Sequence, residues 1–200
     1  MRRGLVVKRL FDIVASLLLI IVSTPLMIWA AAQIRRDSPG GVLFRQTRIG
    51  QGGRPFLILK LRTMRVRADS EWKPPNPEDF DAFVFQDPDD PRITRIGGYL
   101  RRTSMDELPQ LLNVLKGDMS LVGPRPEIPE MVALYRPGMH RRHNLKPGIT
   151  GLAQISGRGS LTTGEIMAHD LVYCDTWSLS LDCWILKETV RQVLRRQNVR

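Results

Sequence analysis

The stretch that decides the architecture is LFDIVASLLLIIVSTPLMIWAAAQI, residues 10–34, an apolar run interrupted by Asp12, Ser16, the Ser23-Thr24-Pro25 triplet and Gln33. As a straight helix it would reach about 37 Å at 1.5 Å per residue, long enough for one ordinary transmembrane span. Two features argue for a different path. Basic residues stand on both sides, with Arg2, Arg3, Lys8 and Arg9 before the run and Arg35 and Arg36 after it, so the bias that marks a cytoplasmic end is present at each. Pro25 removes a backbone donor in mid-segment and bends a helix, while the hydroxyls of Ser23 and Thr24 are placed to satisfy backbone groups that a bend frees. The physical signals alone leave a re-entrant hairpin and a simple span level. A cleavable signal peptide fits poorly, because its apolar core usually runs about 7 to 15 residues and no small-x-small cleavage site is evident.

Outward from this segment, 200 residues suit one modest domain plus an appendage. We therefore expect an anchor over residues 1–36 and a catalytic domain over 37–200. The formal net charge of +10 predicts attraction to polyanions: nucleic acid, an anionic membrane surface, or phosphate-bearing substrates. The two cysteines, Cys174 and Cys183, have no CxxC spacing and no histidine cluster nearby. Neither a disulfide framework nor a zinc site is indicated, and both read as reduced core residues on the cytosolic side.

After a turn-rich exit at Asp37-Ser38-Pro39-Gly40-Gly41, residues 42–49 and 55–61 read as two strands joined by a turn over 50–54. Residues 66–91 are rich in Pro, Asp and Glu, with Trp72, Phe80, Phe83 and Phe85 scattered among them, and predict an irregular surface excursion that could serve as a lid. Residues 93–102 predict a short helix. Leu108, Leu111, Leu112 and Leu115 follow at amphipathic helical spacing, and Gly117 ends that helix. Residues 145–158 read as a glycine-punctuated loop before a last helix near 179–196. That helix sets Trp184, Ile185, Leu186, Val190, Val193 and Leu194 beside Lys187, Arg191, Arg195 and Arg196. Such a pattern suits an anionic membrane surface and equally a helix packed on the core with a solvated basic face.

Candidate chemistry concentrates at Ser104-Met105-Asp106-Glu107-Leu108-Pro109. Ser104 and Glu107 fit the S-x-x-E capping box, which would set Asp106 in a helix's first turn. Pro109 argues instead for a later start with Asp106 as the cap. Either register is a helix N-terminus suited to a carboxylate or a phosphate. Capping alone would explain such a pair, but the cations nearby point further. Arg101 and Arg102 lie just upstream, and Gly123-Pro124-Arg125-Pro126 presents one arginine between two prolines that restrict its backbone, a rigid way to aim a bidentate phosphate ligand. A carboxylate can attack phosphorus to give an acyl phosphate provided arginines and a divalent cation neutralise the repulsion. Magnesium is the natural candidate, since it binds through one or two carboxylates plus substrate phosphates. Lys60, at the end of the second strand, is a weaker candidate for another phosphate contact. Residues 146–151 and 154–158 form loops whose amides could hold a nucleotide or sugar, or could simply turn the chain.

Taken in order, Lys8-Arg9-Leu10-Phe11-Asp12, the proline-broken apolar segment, Phe44-Arg45-Gln46-Thr47-Arg48-Ile49-Gly50, Lys60-Leu61-Arg62-Thr63-Met64, residues 94–110, Ser120-Leu121-Val122-Gly123-Pro124-Arg125-Pro126 and Lys146-Pro147-Gly148-Ile149-Thr150-Gly151 resemble the bacterial sugar transferases of the monotopic phosphoglycosyl transferase superfamily. The resemblance covers most of the chain and implies an α/β (α+β, mostly helical) membrane-associated core, an N-terminal re-entrant membrane helix hairpin kinked at Ser23, Thr24 and Pro25, and amphipathic interfacial helices. It implies a magnesium-dependent, ping-pong transfer of sugar 1-phosphate from a UDP-sugar to polyprenyl phosphate, undecaprenyl phosphate in bacteria. UMP would be released, with membrane lipids as surroundings, no nucleic acid partner, and a homodimer in keeping with the family. Asp106 matches the family's nucleophile and Glu107 its partner carboxylate, both also expected to hold the metal. Arg125 matches the proline-flanked arginine, and Lys60 and Arg101 match positions near substrate phosphates. The expected location is the bacterial inner membrane, with the catalytic domain on the cytoplasmic face.

Departures are visible. Ser-Thr-Pro stands where the family often shows Ser-Pro, and Leu152 stands where Trp frequently follows Thr-Gly. Larger relatives carry an added multi-span region, and this sequence reads as a small, core-only member. A membrane-tethered nucleic-acid-binding protein and a non-catalytic scaffold are the competing readings. The first explains the charge but lacks a basic recognition helix or stacking platform, and the second would leave Asp106 dispensable.

Overall fold

A computed structural model describes residues 2–66, 73–84, 90–157 and 159–195. Trp72, Phe85, Arg158 and Arg196, singled out above, lie outside the described residues. Helix α1, Arg2–Asp37, is one continuous helix with Pro25 inside it, so the helix hairpin expected from the sequence is not seen. Pro25 cannot donate to the Ile21 carbonyl one turn back. Just upstream, the Ser23 hydroxyl donates to Leu19 O at 2.6 Å and the Thr24 hydroxyl to Ile20 O at 2.7 Å, so both hydroxyls bond the helix backbone but not the Ile21 carbonyl that the proline frees.

The faces of α1 are inverted relative to a soluble helix. Lys8, Asp12 and Ser16 are buried at i, i+4 and i+8, and Ala30 and Ile34 continue the inward stripe. Val6, Val7, Leu10, Phe11, Val14, Leu17, Leu18, Ile21, Val22 and Ile28 are exposed. The helix is long and apolar enough to cross a membrane. Both its ends dock on the same globular body. Near its start, Lys8 Nζ donates to Val122 O at 2.9 Å and to Asp182 Oδ2 at 2.6 Å, and Asp12 Oδ1 accepts from Leu121 N at 3.0 Å. Arg9 donates to the carbonyls of Val114 and Leu115. Near its end, Ala30 and Ile34 pack with Leu61, Leu100 and Met105.

Strands β1, Leu43–Ile49, and β2, Pro55–Leu61, form the expected antiparallel hairpin, with Phe44 opposite Lys60. Arg62, just past β2, ties the exit of α1 to the hairpin by donating to the carbonyls of Ser38, Pro39 and Gly41. Helix α2, Arg95–Thr103, is capped by Thr94, whose side chain accepts from Gly97 N. Helix α3 runs Gln110–Lys116 and ends at Gly117 with φ 94°, the left-handed conformation glycine tolerates best.

Strands β3, Ser120–Val122, and β4, Gly148–Thr150, pair in parallel. Residues 145–158 are therefore not a plain loop: β4 is followed by α5, Leu152–Gly157. The glycines here serve close backbone packing. A Cβ on Gly123 would stand 2.2 Å from Lys146 O, and one on Gly148 2.1 Å from Gly123 N. The one-turn α4, Pro129–Val132, lies between β3 and β4, and helix α6, Thr163–Thr176, opens with a reciprocal capping box of Thr162 and Glu165. Helix α7, Leu179–Arg195, closes the fold.

The main core gathers Ile58, Leu111, Val114, Met119, Val122, Tyr173 and Ile185. A satellite core takes Phe80 together with Ile128, Met131 and Met167. Part of the 66–91 excursion is thus packed, and Phe83 O and Asp81 O accept from the backbone at the start of α6. Helix α7 buries Asp182, Ile185 and Gln192 while exposing Trp184, Val190 and Leu194. It packs on the core and still presents an apolar and basic outer face.

Candidate active site

Three chain segments bring five of the predicted residues together. The first is the end of β2, which carries Lys60 and then Thr63. The second is the run from α2 to the turn Met105–Glu107. The third is the Gly123–Pro126 loop that follows β3.

Close backbone approach sets the first two. Gly97 of α2 packs so tightly on the end of β2 that a Cβ there would stand 1.9 Å from Thr63 O. Thr94 N donates to that same carbonyl at 3.0 Å. Two turns on, Arg101 Nε donates to Thr63 Oγ1 at 3.0 Å. Helix α2 ends at Ser104 with φ 57°, the non-glycine residue with positive φ among the described residues. The capping box expected from Ser104 and Glu107 does not form, because a left-handed Ser104 directs no side-chain cap to the turn. Asp106 instead sits in a short 3-10 turn, Met105–Glu107, that runs through Leu108 and Pro109 into α3.

Lys60 Nζ lies 2.9 Å from Glu107 Oε1, and Arg125 Nη1 lies 3.8 Å from the same oxygen. Asp106 is buried, 8% exposed, and its carboxylate accepts no hydrogen bond from the described residues. Burial pushes the Asp106 carboxyl up to about 6. Lys60 opposes this most strongly, Glu107 adds to it, and Arg101 and Arg125 pull it down. Burial also lowers the Arg101 guanidinium, against the attraction of Asp106. The result is a deprotonated but poorly solvated carboxylate at neutral pH, facing three cations.

All five residues line one groove of about 1270 Å³. The same groove is also lined by Arg48, Glu127, Asp90 and Arg92, by Leu19, Val22 and Ser23 of α1, and by Leu186, Val190 and Val193 of α7. Ser23 thus reaches the groove, whereas Thr24 and Pro25 do not line it. Thr63, Arg48 and Glu127 were not singled out as site residues. Arg48 is inside the arginine-rich β1 and Glu127 directly follows Pro126, so the signal was adjacency to motifs. Burial pulls Arg48 down to about 10, with Glu127 raising it. Lys146-Pro147-Gly148-Ile149-Thr150-Gly151 acts chiefly as scaffold: Gly148 N donates to Pro124 O and Gly123 N to Thr150 O, each at 2.9 Å.

Among the described residues no three His, Cys, Asp or Glu side chains converge as a metal cage.

A buried carboxylate beside Glu107, Lys60, Arg101 and Arg125, in a groove partly lined by a helix long and apolar enough to cross a membrane, suits chemistry on an anionic substrate. Comparison with known proteins agrees. Residues 3–196 match the family described as bacterial sugar transferase, and the chain belongs to that family of enzymes. It is 48% identical to a UDP-glucose:undecaprenyl-phosphate glucose-1-phosphate transferase of Caulobacter vibrioides, over 96% of this chain and 71% of the relative. It is 41% identical to an uncharacterized sugar transferase of Bacillus subtilis, over 98% of this chain and 91% of the relative. An undecaprenyl-phosphate galactose phosphotransferase of Salmonella typhimurium is 40% identical over 94% of this chain, which spans 40% of that longer protein.

Proposed function

We propose that this chain transfers a sugar 1-phosphate from a UDP-sugar to polyprenyl phosphate, undecaprenyl phosphate in the bacterial membrane, by way of a covalent intermediate on Asp106. The observation that carries this reading is the buried Asp106 carboxylate, without a described hydrogen-bond donor, beside Lys60, Arg101 and Arg125. A carboxylate used for capping would be saturated with backbone donors, whereas this one is held back from them.

In the first half-reaction an Asp106 oxygen attacks the sugar-bearing phosphorus, the bond from that phosphorus to the UMP oxygen breaks, and UMP leaves as the dianion. In the second, an oxygen of polyprenyl phosphate attacks the acyl phosphate. The Asp106 carboxylate is restored and a polyprenyl-diphosphate sugar forms. Lys60, Arg101 and Arg125 offset charge repulsion between attacking and attacked groups. Lys60 also holds Glu107 in place. Asp106 and Glu107 would hold a magnesium ion, which when bound supplies electrostatic stabilisation to the transferring phosphate.

The path of α1 supports a re-entrant, monotopic anchor. A straight helix across a bilayer carries its two ends to opposite faces, yet Lys8 and Asp12 at one end and Ala30 and Ile34 at the other pack on one body. The outward apolar face enters the lipid, and the groove opens beside its midpoint at Leu19 and Val22. A soluble nucleotide sugar and a membrane-buried acceptor can then meet at the headgroup plane, the position suited to the first committed step of a polysaccharide or other glycoconjugate.

The test is nucleotide release by purified protein with magnesium, undecaprenyl phosphate and a panel of UDP-sugars, resolving UMP from UDP. Wild type should release UMP for particular sugars and Asp106→Asn should not. Release of UDP would instead identify a glycosyl transferase making a monophosphate-linked lipid sugar, and equal UMP release by the variant, or none from any donor, would refute the covalent route.

A further inference from the structure

Beneath the loop that carries Arg125 lies a second set of polar groups, sealed from solvent. Arg142, from the helical turn Met139–Asn144, and Asp170, from α6, form an ion pair whose side chains are 2% and 0% exposed. The same guanidinium donates through Nη1 to the Tyr135 hydroxyl and through Nη2 to the backbone carbonyl of Arg125, the latter at 2.6 Å. Tyr135 is fixed in turn by its neighbours: its ring stacks on His143 with centroids 5.8 Å apart and stands edge-on to Phe80 at 5.9 Å.

A fully buried ion pair is a weak source of stability, because desolvating two charges offsets much of their attraction. It does provide direction, since a guanidinium presents its donors in a rigid planar fork. Here Nη2, already held by Asp170, is also aimed at a single backbone carbonyl, that of Arg125.

The surrounding loop shows what that carbonyl is for. Three consecutive carbonyls are each taken by a donor from a different element: Pro124 O by Gly148 N at 2.9 Å, Arg125 O by Arg142, and Pro126 O by Arg48 Nη1 at 3.2 Å. Pro124 and Pro126 additionally fix their own φ angles. The backbone of Arg125 is immobilised on both sides of the Cα while its side chain, 27% exposed, reaches into the groove within 3.8 Å of Glu107. We propose that Arg142, held by Asp170 and Tyr135, is a positioning residue whose catalytic effect runs through Arg125, aiming that guanidinium at the substrate diphosphate before the substrate arrives. This rests on the reading of Arg125 as a phosphate ligand. Pre-aiming matters because ordering a flexible arginine on binding would cost part of the interaction it makes.

The test is a double-mutant cycle of wild type, Tyr135→Phe, Arg125→Lys and the double variant. It is read by kcat/KM for UMP release and, independently of turnover, by UDP affinity from calorimetry. Tyr135→Phe removes one hydroxyl from Arg142 and keeps the ring and the ion pair, so the fold survives. In the wild-type background it should lower kcat/KM about three- to tenfold and weaken UDP correspondingly; in the Arg125→Lys background the same change should cost less than about twofold. Arg142→Lys, which keeps the charge opposite Asp170 but loses the fork, should show the same dependence on Arg125 with a larger loss. Equal losses in both backgrounds, or none in the wild-type background, would overturn the proposal. A wild-type protein that releases no UMP from any donor would overturn the reading of the site itself, a separate result.

Discussion

Replacing Asp106 by Asn should stabilise the protein while abolishing its activity, by an amount that depends on pH in a predictable direction. Burial raises the Asp106 carboxyl from 3.8 to about 6. The folded protein therefore binds this proton more tightly than the unfolded chain does. Below pH 3.8 both states are protonated and there is no penalty; the penalty grows between 3.8 and about 6 and is complete above it. Roughly two pH units at about 1.4 kcal/mol each give about 3 kcal/mol at pH 8, falling to about 1 kcal/mol at pH 4.5. The asparagine side chain keeps the shape and carries no charge, so the variant escapes the penalty at every pH. For a chain of this size about 1 kcal/mol moves Tm by roughly 2–4 °C. The D106N protein should therefore melt about 6–12 °C higher than wild type at pH 8, and about 2–4 °C higher at pH 4.5. The assay is thermal unfolding in detergent micelles, with chelator and without nucleotide, across that pH range. A gap that is absent at pH 8, or that does not shrink on acidification, would refute the claim that Asp106 is a desolvated, charged group in the resting fold.

Lys60 is the strongest charge opposing that rise, so Lys60→Met should raise the Asp106 pKa and move the acid limb of the kcat/KM profile upward by roughly half to one pH unit; an unmoved limb would remove Lys60 from the carboxylate's environment. Gly97→Ala must push α2 away from Thr63 O, where a Cβ would stand at 1.9 Å, and should cost about 2 kcal/mol or more in chemical unfolding while lowering activity by displacing Arg101. For the anchor, Arg3→Cys and Arg36→Cys, each in a background with Cys174 and Cys183 replaced by Ser, should react with an impermeant maleimide from the same, cytoplasmic, side. Labelling from opposite sides would establish a simple span.

Much of the scaffold was legible because local rules and tertiary packing agree. The β1–β2 hairpin follows from two strand-forming runs around a glycine turn, and α3 follows from its leucine spacing and the glycine that ends it. Elsewhere tertiary contacts override the local signal. The Ser104-to-Glu107 pattern satisfies the capping-box rule, yet α2 must end beside β2, and Ser104 takes the left-handed conformation that ends it. Helix α6 was missed although Thr162 and Glu165 form the same box correctly, because the reading ran from the glycine-punctuated stretch 145–158 straight to the last helix and assigned nothing between. Lys8 and Arg9 were read as markers of membrane topology, whereas Lys8 is a buried ligand to Val122 and Asp182 and Arg9 caps the carbonyl end of α3. A residue pattern shows a charge but not the partner that waits for it a hundred positions away. Arg142 and Asp170 were invisible for the same reason. The five predicted site residues could be named because they sit in motifs that resemble a family, and the groove that joins them could not.

The inverted faces of α1 bear on how such an enzyme can be handled. Val122, whose carbonyl Lys8 holds, is the last residue of β3 before the loop bearing Arg125, and Leu121 is pinned by Asp12. Trimming the first 37 residues to make a water-soluble fragment would strip the donor and acceptor that fasten the strand leading into the Arg125 loop, and would uncover Leu61, Leu100 and Met105. Solubility will have to come from the outside of this helix, by exchanging its exposed leucines and valines for polar residues, with the stripe from Lys8 to Ile34 left untouched.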